Sequence, residues 1–281
     1  MQGILIRLGD TWICTDILCA HGYGKYMTAD EAAIEELYQA GPEEWPETCL
    51  ITHEHPDHFS EERMRRYARI HKEMKIISNE AVVSRLRPCI EEDRLTAIGR
   101  GMKQKIMAGK TLITAFSSRH MGRQYDAIVN LSFLLEYRGY RILITGDADP
   151  RYLLRQAAEL GMKADLLISP FAYITLRFAR RQLEEVLGAR QVFAIHLPAG
   201  GKDGTRFREI LNAAQKEEGI TPDHLWKRTR PGASYKKLYK IVLTKEKGSA
   251  KLIIEDVSTQ KCRVLTAKSE RRRIDGIRTW T

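Results

Sequence analysis

The segment Thr52-His53-Glu54-His55-Pro56-Asp57-His58-Phe59 gathers three imidazoles and the carboxylate of Asp57 within residues 53–58, with Glu54 between the first two histidines. It follows the apolar run Cys49-Leu50-Ile51, which reads as a short buried strand. Imidazole and carboxylate are the side chains that zinc and neighbouring first-row divalent ions take as ligands. No single helix face could present all four groups, whereas a loop leaving a strand end can turn successive side chains toward one point. Pro56 stiffens that loop by fixing its own φ and by pushing His55 toward extended geometry. One histidine near a strand end is an ordinary polar residue, but here three of the chain's eight histidines surround one aspartate. The segment predicts a metal site, and a fold that brings further ligands to it.

A chain of 281 residues can bury a core large enough for one big domain, or for one domain with an extension. No stretch approaches the roughly 20 apolar residues of a membrane span. The start, Met1-Gln2-Gly3-Ile4-Leu5-Ile6-Arg7, lacks the apolar core of a signal peptide. The five cysteines (Cys14, Cys19, Cys49, Cys89, Cys262) are scattered and form no C-x-x-C pair, which fits reduced thiols in a cytoplasmic protein. The net charge of +10 is unevenly placed: residues 201–281 hold 20 Lys and Arg against 10 Asp and Glu, whereas residues 1–200 hold 26 of each. The reading is a main domain over 1–226 and a basic, β-rich extension over 227–281.

Strands are expected over 4–7 and 12–18, then a helix over 29–40 ended by Gly41-Pro42. A strand over 48–52 leads into the histidine loop. Ser60 and Asn79 each cap a following helix, with a strand over 75–78 between them. Strands follow over 95–98, 104–107 and 111–116, and a hairpin over 128–145 turns at Arg138-Gly139. Helices over 151–160 and 176–187 then alternate with strands over 164–169 and 191–196. A helix over 204–218 precedes tail strands over 241–244, 251–256 and 263–266. Two β-sheets covered by helices suit this order better than one parallel sheet.

Further polar groups fall at the ends of expected strands: Ser117-Ser118-Arg119-His120, Thr145-Gly146-Asp147-Ala148-Asp149, Ser169-Pro170 and His196-Leu197-Pro198. Taken singly they are ordinary. An aspartate after glycine is a turn or cap residue more often than a ligand, and Asp149 reads as such. Strand ends on one sheet edge converge, however, and that changes their weight.

The series His53-x-His55-x-Asp57-His58, His120, Asp147, His196 resembles the metallo-β-lactamase superfamily over residues 1 to about 200. In tone it is closest to the branch of ascorbate-6-phosphate lactonase and N-acyl-phosphatidylethanolamine phospholipase D. The resemblance implies an α+β fold, a four-layer αββα sandwich, with the basic extension appended. It implies two divalent ions, zinc by default with manganese or iron also accommodated. His53, His55 and His120 would hold one ion; Asp57, His58 and His196 would hold the other, with Asp147 bridging. Asp16 would buttress the histidine loop. Two such ions would hold a bridging hydroxide for hydrolysis, with Asp57 also able to accept a proton.

That chemistry specifies hydrolysis rather than a substrate. Arg119 beside His120 is a candidate to meet a phosphate, and Tyr23 and Tyr26 are candidates for a cleft wall or for loop packing. His71, among arginines, reads as solvated. The leading expectation is a cytoplasmic binuclear hydrolase acting on a small anionic ester, lactone or phosphodiester. One alternative is a nuclease of the same fold, its basic tail gripping nucleic acid. The other is a non-catalytic polyanion-binding protein with structural metals.

Overall fold

The computed structural model describes residues 3–19, 31–41, 46–189, 191–196 and 209, and the backbone of five strands between 239 and 280. A first hairpin, β1 (Ile4–Leu8) and β2 (Thr11–Thr15), turns through Gly9 at φ +63°. Helix α1 (Glu31–Gln39) leads to β3 (Thr48–Leu50), α2 (Glu61–Ile70), β4 (Lys75–Asn79), α3 (Glu80–Leu86) and β5 (Leu95–Ile98). Next come β6 (Lys103–Ala108), β7 (Thr111–Arg119), β8 (Val129–Tyr137) and β9 (Tyr140–Ile144) as an antiparallel meander. Helix α4 (Pro150–Glu159), β10 (Leu166–Pro170), α5 (Ala172–Thr175), α6 (Arg177–Gln182) and β11 (Gln191–Ile195) complete the central part. The tail adds β12 (Tyr239–Glu246), β13 (Ser249–Asp256), β14 (Lys261–Ala267), β15 (Arg271–Ile274) and β16 (Ile277–Trp280).

Two mixed sheets result, ordered β14-β13-β12-β1-β2-β3-β4-β5 and β11-β10-β9-β8-β7-β6, with β15-β16 as a separate ribbon. The period-2 alternation of the strands explains the layering. Ile4, Ile6 and Leu8 pack with Phe133, Ile144, Ile168 and Phe193 in a core between the sheets. Leu5, Cys14, Cys49 and Ile76 face the other way, onto Leu37, Tyr67, Val83 and Leu86 of α1, α2 and α3. Phe116, Leu143 and Leu167 pack on Leu153, Ala157 and Ala179 of α4 and α6. Helix, sheet, sheet, helix is the αββα order.

The caps sit where the sequence places them. Ser60 Oγ accepts the Arg63 N–H at 3.4 Å and Asn79 Oδ1 the Val82 N–H at 2.9 Å. Asp149 caps α4 by accepting the Arg151 N–H, with Pro150 at the first helical position.

Three expectations need correcting. The strand read to residue 18 ends at Thr15, because Asp16 turns to φ +48°. The helix read over 176–187 begins one residue later, after an extended Leu176 that parts it from α5, and its last turn (Leu183–Leu187) is π-helical and ends on Gly188 at φ +66°. His71 is buried, its ring against Tyr67 at 4.1 Å, rather than solvated, and burial depresses its pKa. The arginines nearby mislead because α2 turns its apolar face inward precisely where His71 ends the helix, whereas Arg65, Arg66 and Arg69 lie outward. The helix read over 204–218, apart from Glu209, and the boundary read at 226/227 lie outside the described residues. Part of the tail extends the first sheet, since β12 pairs in parallel with β1, Ile4 opposite Tyr239 through Leu8 opposite Leu243, while β15 and β16 pair only with each other.

Candidate metal centre

The ends of β2, β3, β7, β9 and β11 open on one edge, and each releases a polar group there. After β3 the chain leaves the sheet and is held back by main-chain bonds: the Ile51 N–H to Ile77 O, and the Leu131 N–H to Thr52 O. The loop then winds into a tight turn, with the His58 and Phe59 N–H groups both donating to His55 O at 2.9 Å. That turn puts His53, His55, Asp57 and His58 side by side. His120 follows β7 and bridges to Ala148 across the sheet, which sets it beside Asp147 beyond the end of β9. His196 leaves β11 at φ +58°, a left-handed conformation that swings its ring back toward the centre.

The inner atoms converge. His53 Nε2 lies 2.9 Å from His55 Nδ1 and 3.3 Å from His120 Nε2. Asp147 Oδ2 lies 3.0 Å from His196 Nε2, 3.4 Å from His58 Nε2 and 3.7 Å from His120 Nε2. Asp57 Oδ2 is 3.4 Å from His196 Nε2 and 3.9 Å from His58 Nε2. Three overlapping groups of donors follow: His53, His55, His120; His53, His58, Asp147; and Asp57, His58, His196.

The outer nitrogens explain why the inner ones face inward. Asp16 Oδ2 accepts from His58 Nδ1 at 2.9 Å, which leaves Nε2 as the lone-pair nitrogen. Thr52 donates its hydroxyl to Asp16 Oδ2 at 2.8 Å and lies 3.0 Å from His53 Nδ1, so that hydroxyl can accept from His53. His120 Nδ1 donates to Met121 O at 2.8 Å. Three imidazole nitrogens, those of His53, His55 and His120, thus meet in one small space, with the outer nitrogens of His53 and His120 engaged at the rim. Such spacing suits a shared cation, since nitrogens roughly 2.1 Å from one ion at tetrahedral angles lie roughly 3.4 Å apart. His58 Nε2 and Asp147 Oδ1 are buried and no hydrogen bond satisfies either among the described residues. The donor set fits divalent ions.

Charges divide the cluster in two. Burial depresses the pKa of His53 well below its usual value, with the charge of His58 adding to the effect. Burial likewise lowers His55 and His120. Burial would depress His58 too, but Asp147 and Asp16 outweigh it and raise that group well above 6.5. His196 behaves the same way, burial opposing and Asp147 raising. Burial also works against ionised Asp147 and Asp57, yet His196 and His58 keep both below the usual carboxylate range.

No protein-family model and no curated protein matches the sequence. Solved structures do resemble it. The metallo-β-lactamase fold protein YhfI from Bacillus subtilis superposes with a TM-score of 0.50 at 16% identity, over 73% of this chain and 81% of that one. A mutant of CmlA, the diiron β-hydroxylase from Streptomyces venezuelae, superposes with a TM-score of 0.50 at 14% identity, over 78% of this chain and 51% of that one. This chain has the metallo-β-lactamase fold.

Within the metallo-β-lactamase fold, several residues that carry no motif are part of the site. Asn130 is fully buried: its Oδ1 accepts the Asp147 N–H at 2.9 Å, while its Nδ2 donates to Ser118 Oγ at 2.7 Å and Thr145 O at 3.0 Å. Gly146 packs against it at φ +54°; a Cβ there would stand 2.5 Å from Asn130 Oδ1 and 2.8 Å from Thr52 Cβ. Asn79 donates to Glu54 Oε2 at 2.6 Å and to Val129 O at 2.7 Å, tying the histidine loop to β8. Asp149 is a cap, and Ser169 lies buried inside β10. Arg119 stands apart from the cluster: Asp126 meets both edges of its fork at 3.0 Å and Tyr152 stacks beneath it at 4.3 Å. It lines a cavity of about 470 Å³ with Arg100, Tyr152 and Arg155, and none of the metal-ligand candidates borders it. Tyr23 and Tyr26 lie outside the described residues.

Proposed function

We propose that the protein is a metal-dependent hydrolase acting on a small anionic ester, lactone or phosphodiester. Its resident ions would be two divalent metals, zinc by default, with His53, His55 and His120 holding one and Asp57, His58 and His196 the other, joined by Asp147. The observation that carries this reading is the convergence of imidazole nitrogens and buried carboxylates at one sheet edge. Such ions would supply a Lewis acid and lower the pKa of bound water toward neutrality.

The chain's own residues do the rest. Asp16, Thr52 and the Met121 carbonyl hold the imidazole tautomers. Asn130 holds the Asp147 backbone, and through it the carboxylate shared by both halves of the cluster. Asp57, kept ionised beside His196, is placed to accept a proton released at the centre. The test is metal analysis of the purified protein, followed by assay of the metal-loaded chain on aryl phosphodiester, lactone and nucleic-acid substrates. Two ions per chain and turnover lost in Asp147→Asn, with the fold retained, are expected. Turnover untouched by Asp147→Asn would overturn the reading.

The +10 excess within residues 201–281 favours a second reading, a nuclease. It predicts binding to single-stranded nucleic acid that falls steeply with salt, by about 0.7 log unit per phosphate contact for each decade. Salt-independent binding would exclude it.

A further inference from the structure

The donor cluster is closed on most sides. His53, Asp57, His58, His120, Asp147 and His196 are all buried, and only His55 is partly exposed. Whatever reacts at the centre reaches it, among the described residues, along the flank of His55. One non-imidazole ring stands there. Tyr125 packs edge-on against His55, with centroids 5.0 Å apart and planes at 71°, and tilted against His120 at 4.8 Å. Its side chain is half-buried, and its hydroxyl has no hydrogen-bond partner among the described residues.

The loop carrying Tyr125 is fastened on both sides. Arg119 grips the Asp126 carboxylate at 3.0 Å through two nitrogens. Arg100 donates to Asp126 O at 3.0 Å and Ala127 O at 2.9 Å. Upstream, the Met121 N–H donates to Asp147 O at 2.8 Å, and the Tyr125 N–H closes a turn on Gly122 O at 3.0 Å. The anchoring fixes the ring at the open flank of the centre, with its hydroxyl toward solvent-accessible space. Arg119 therefore acts on the loop, and the loop presents the ring.

We propose that Tyr125 is a specificity-determining residue, the wall that receives the uncharged, planar part of the substrate while its anionic group meets the centre. This rests on the hydrolase reading above. Aromatic contact of this kind is worth about 0.5–1.5 kcal/mol beyond area burial, or roughly two- to twelvefold in affinity.

The test uses the full chain loaded with zinc and two probes sharing one headgroup, phenylphosphonate and methylphosphonate, titrated by calorimetry. The expected result is an about fivefold or greater preference for the phenyl compound in the parent protein. Tyr125→Phe keeps it; Tyr125→Ala and Tyr125→Leu lose it with zinc content and methylphosphonate affinity unchanged. A preference that persists in both, or one absent from a parent protein that binds methylphosphonate, overturns the Tyr125 assignment alone. Loss of zinc in both variants would assign the ring to supporting the imidazoles and overturn it too. A zinc-loaded parent protein that binds neither probe overturns the anionic-substrate reading together with this one.

Discussion

An imidazole has two nitrogens, and only the one free of its proton can serve a metal. At this centre that choice is made by acceptors around the rim. Asp16 takes two bonds from Thr52, at 2.9 Å from the N–H and 2.8 Å from the hydroxyl, and one from His58. Asp16→Asn replaces part of that acceptor with a donor, so metal affinity should drop about 10- to 100-fold, read by competition with a chromogenic chelator. Gly146→Ala should be worse, because its Cβ has no room and its φ is left-handed; failure to retain metal is the expected outcome of metal analysis. The metal-free protein should also show a stability optimum near neutrality. His58 and His196, raised above 6.5, contribute stability that is full below that value and lost as pH rises through their folded pKa values. His53, His55 and His120, lowered below 6.5, favour unfolding as pH falls beneath it, since the unfolded chain takes the protons. Urea midpoints measured across the pH range, rising monotonically in either direction, would contradict this. The histidine triplet could be seen in the sequence because its members are neighbours. Thr52, Asn130 and Tyr125 could not, because nothing about a threonine, an asparagine or a tyrosine announces which atom lies across from it.

Among the elements, the α2–β5 junction rests on one buried cation. Arg94 donates to Ala68 O at 3.0 Å, His71 O at 2.9 Å and Met74 O at 3.2 Å, satisfying carbonyls at the C-terminal end of α2 and beyond it, and pairs with Glu91 Oε2 at 2.8 Å. Arg94→Ala should cost roughly 2–4 kcal/mol in urea unfolding, since those buried acceptors are left without donors. A loss below about 1 kcal/mol would mean that water replaces the guanidinium there. Strand and helix positions were legible from alternation and from caps such as Ser60, Asn79 and Asp149. The widening of the last turn to π-helix at Leu183–Leu187 was not, because nothing in Leu-Glu-Glu-Val-Leu departs from an ordinary α-helical sequence.

For the molecule as a whole, the αββα order was legible from the strand-rich and helix-alternating blocks, and the +10 tail from simple counting. What the counting hid is that part of the tail belongs to the first sheet. Metal removal bears on the entire fold: ions bound at 100 times their Kd add about 2.7 kcal/mol per site, so a chelator should lower the melting temperature by several degrees. An unchanged melting temperature would mean that the loops around the centre hold their shape alone.

The parallel pairing of β1 with β12 has a consequence for how the chain is made. Ile4 leaves the ribosome long before its partner Tyr239, which lies far downstream in the chain. Until then β1 offers one bare edge to its surroundings, an invitation to the wrong strand. Arrested nascent chains ending before β12 should therefore be cut readily by protease, and chains extended past β14 should resist.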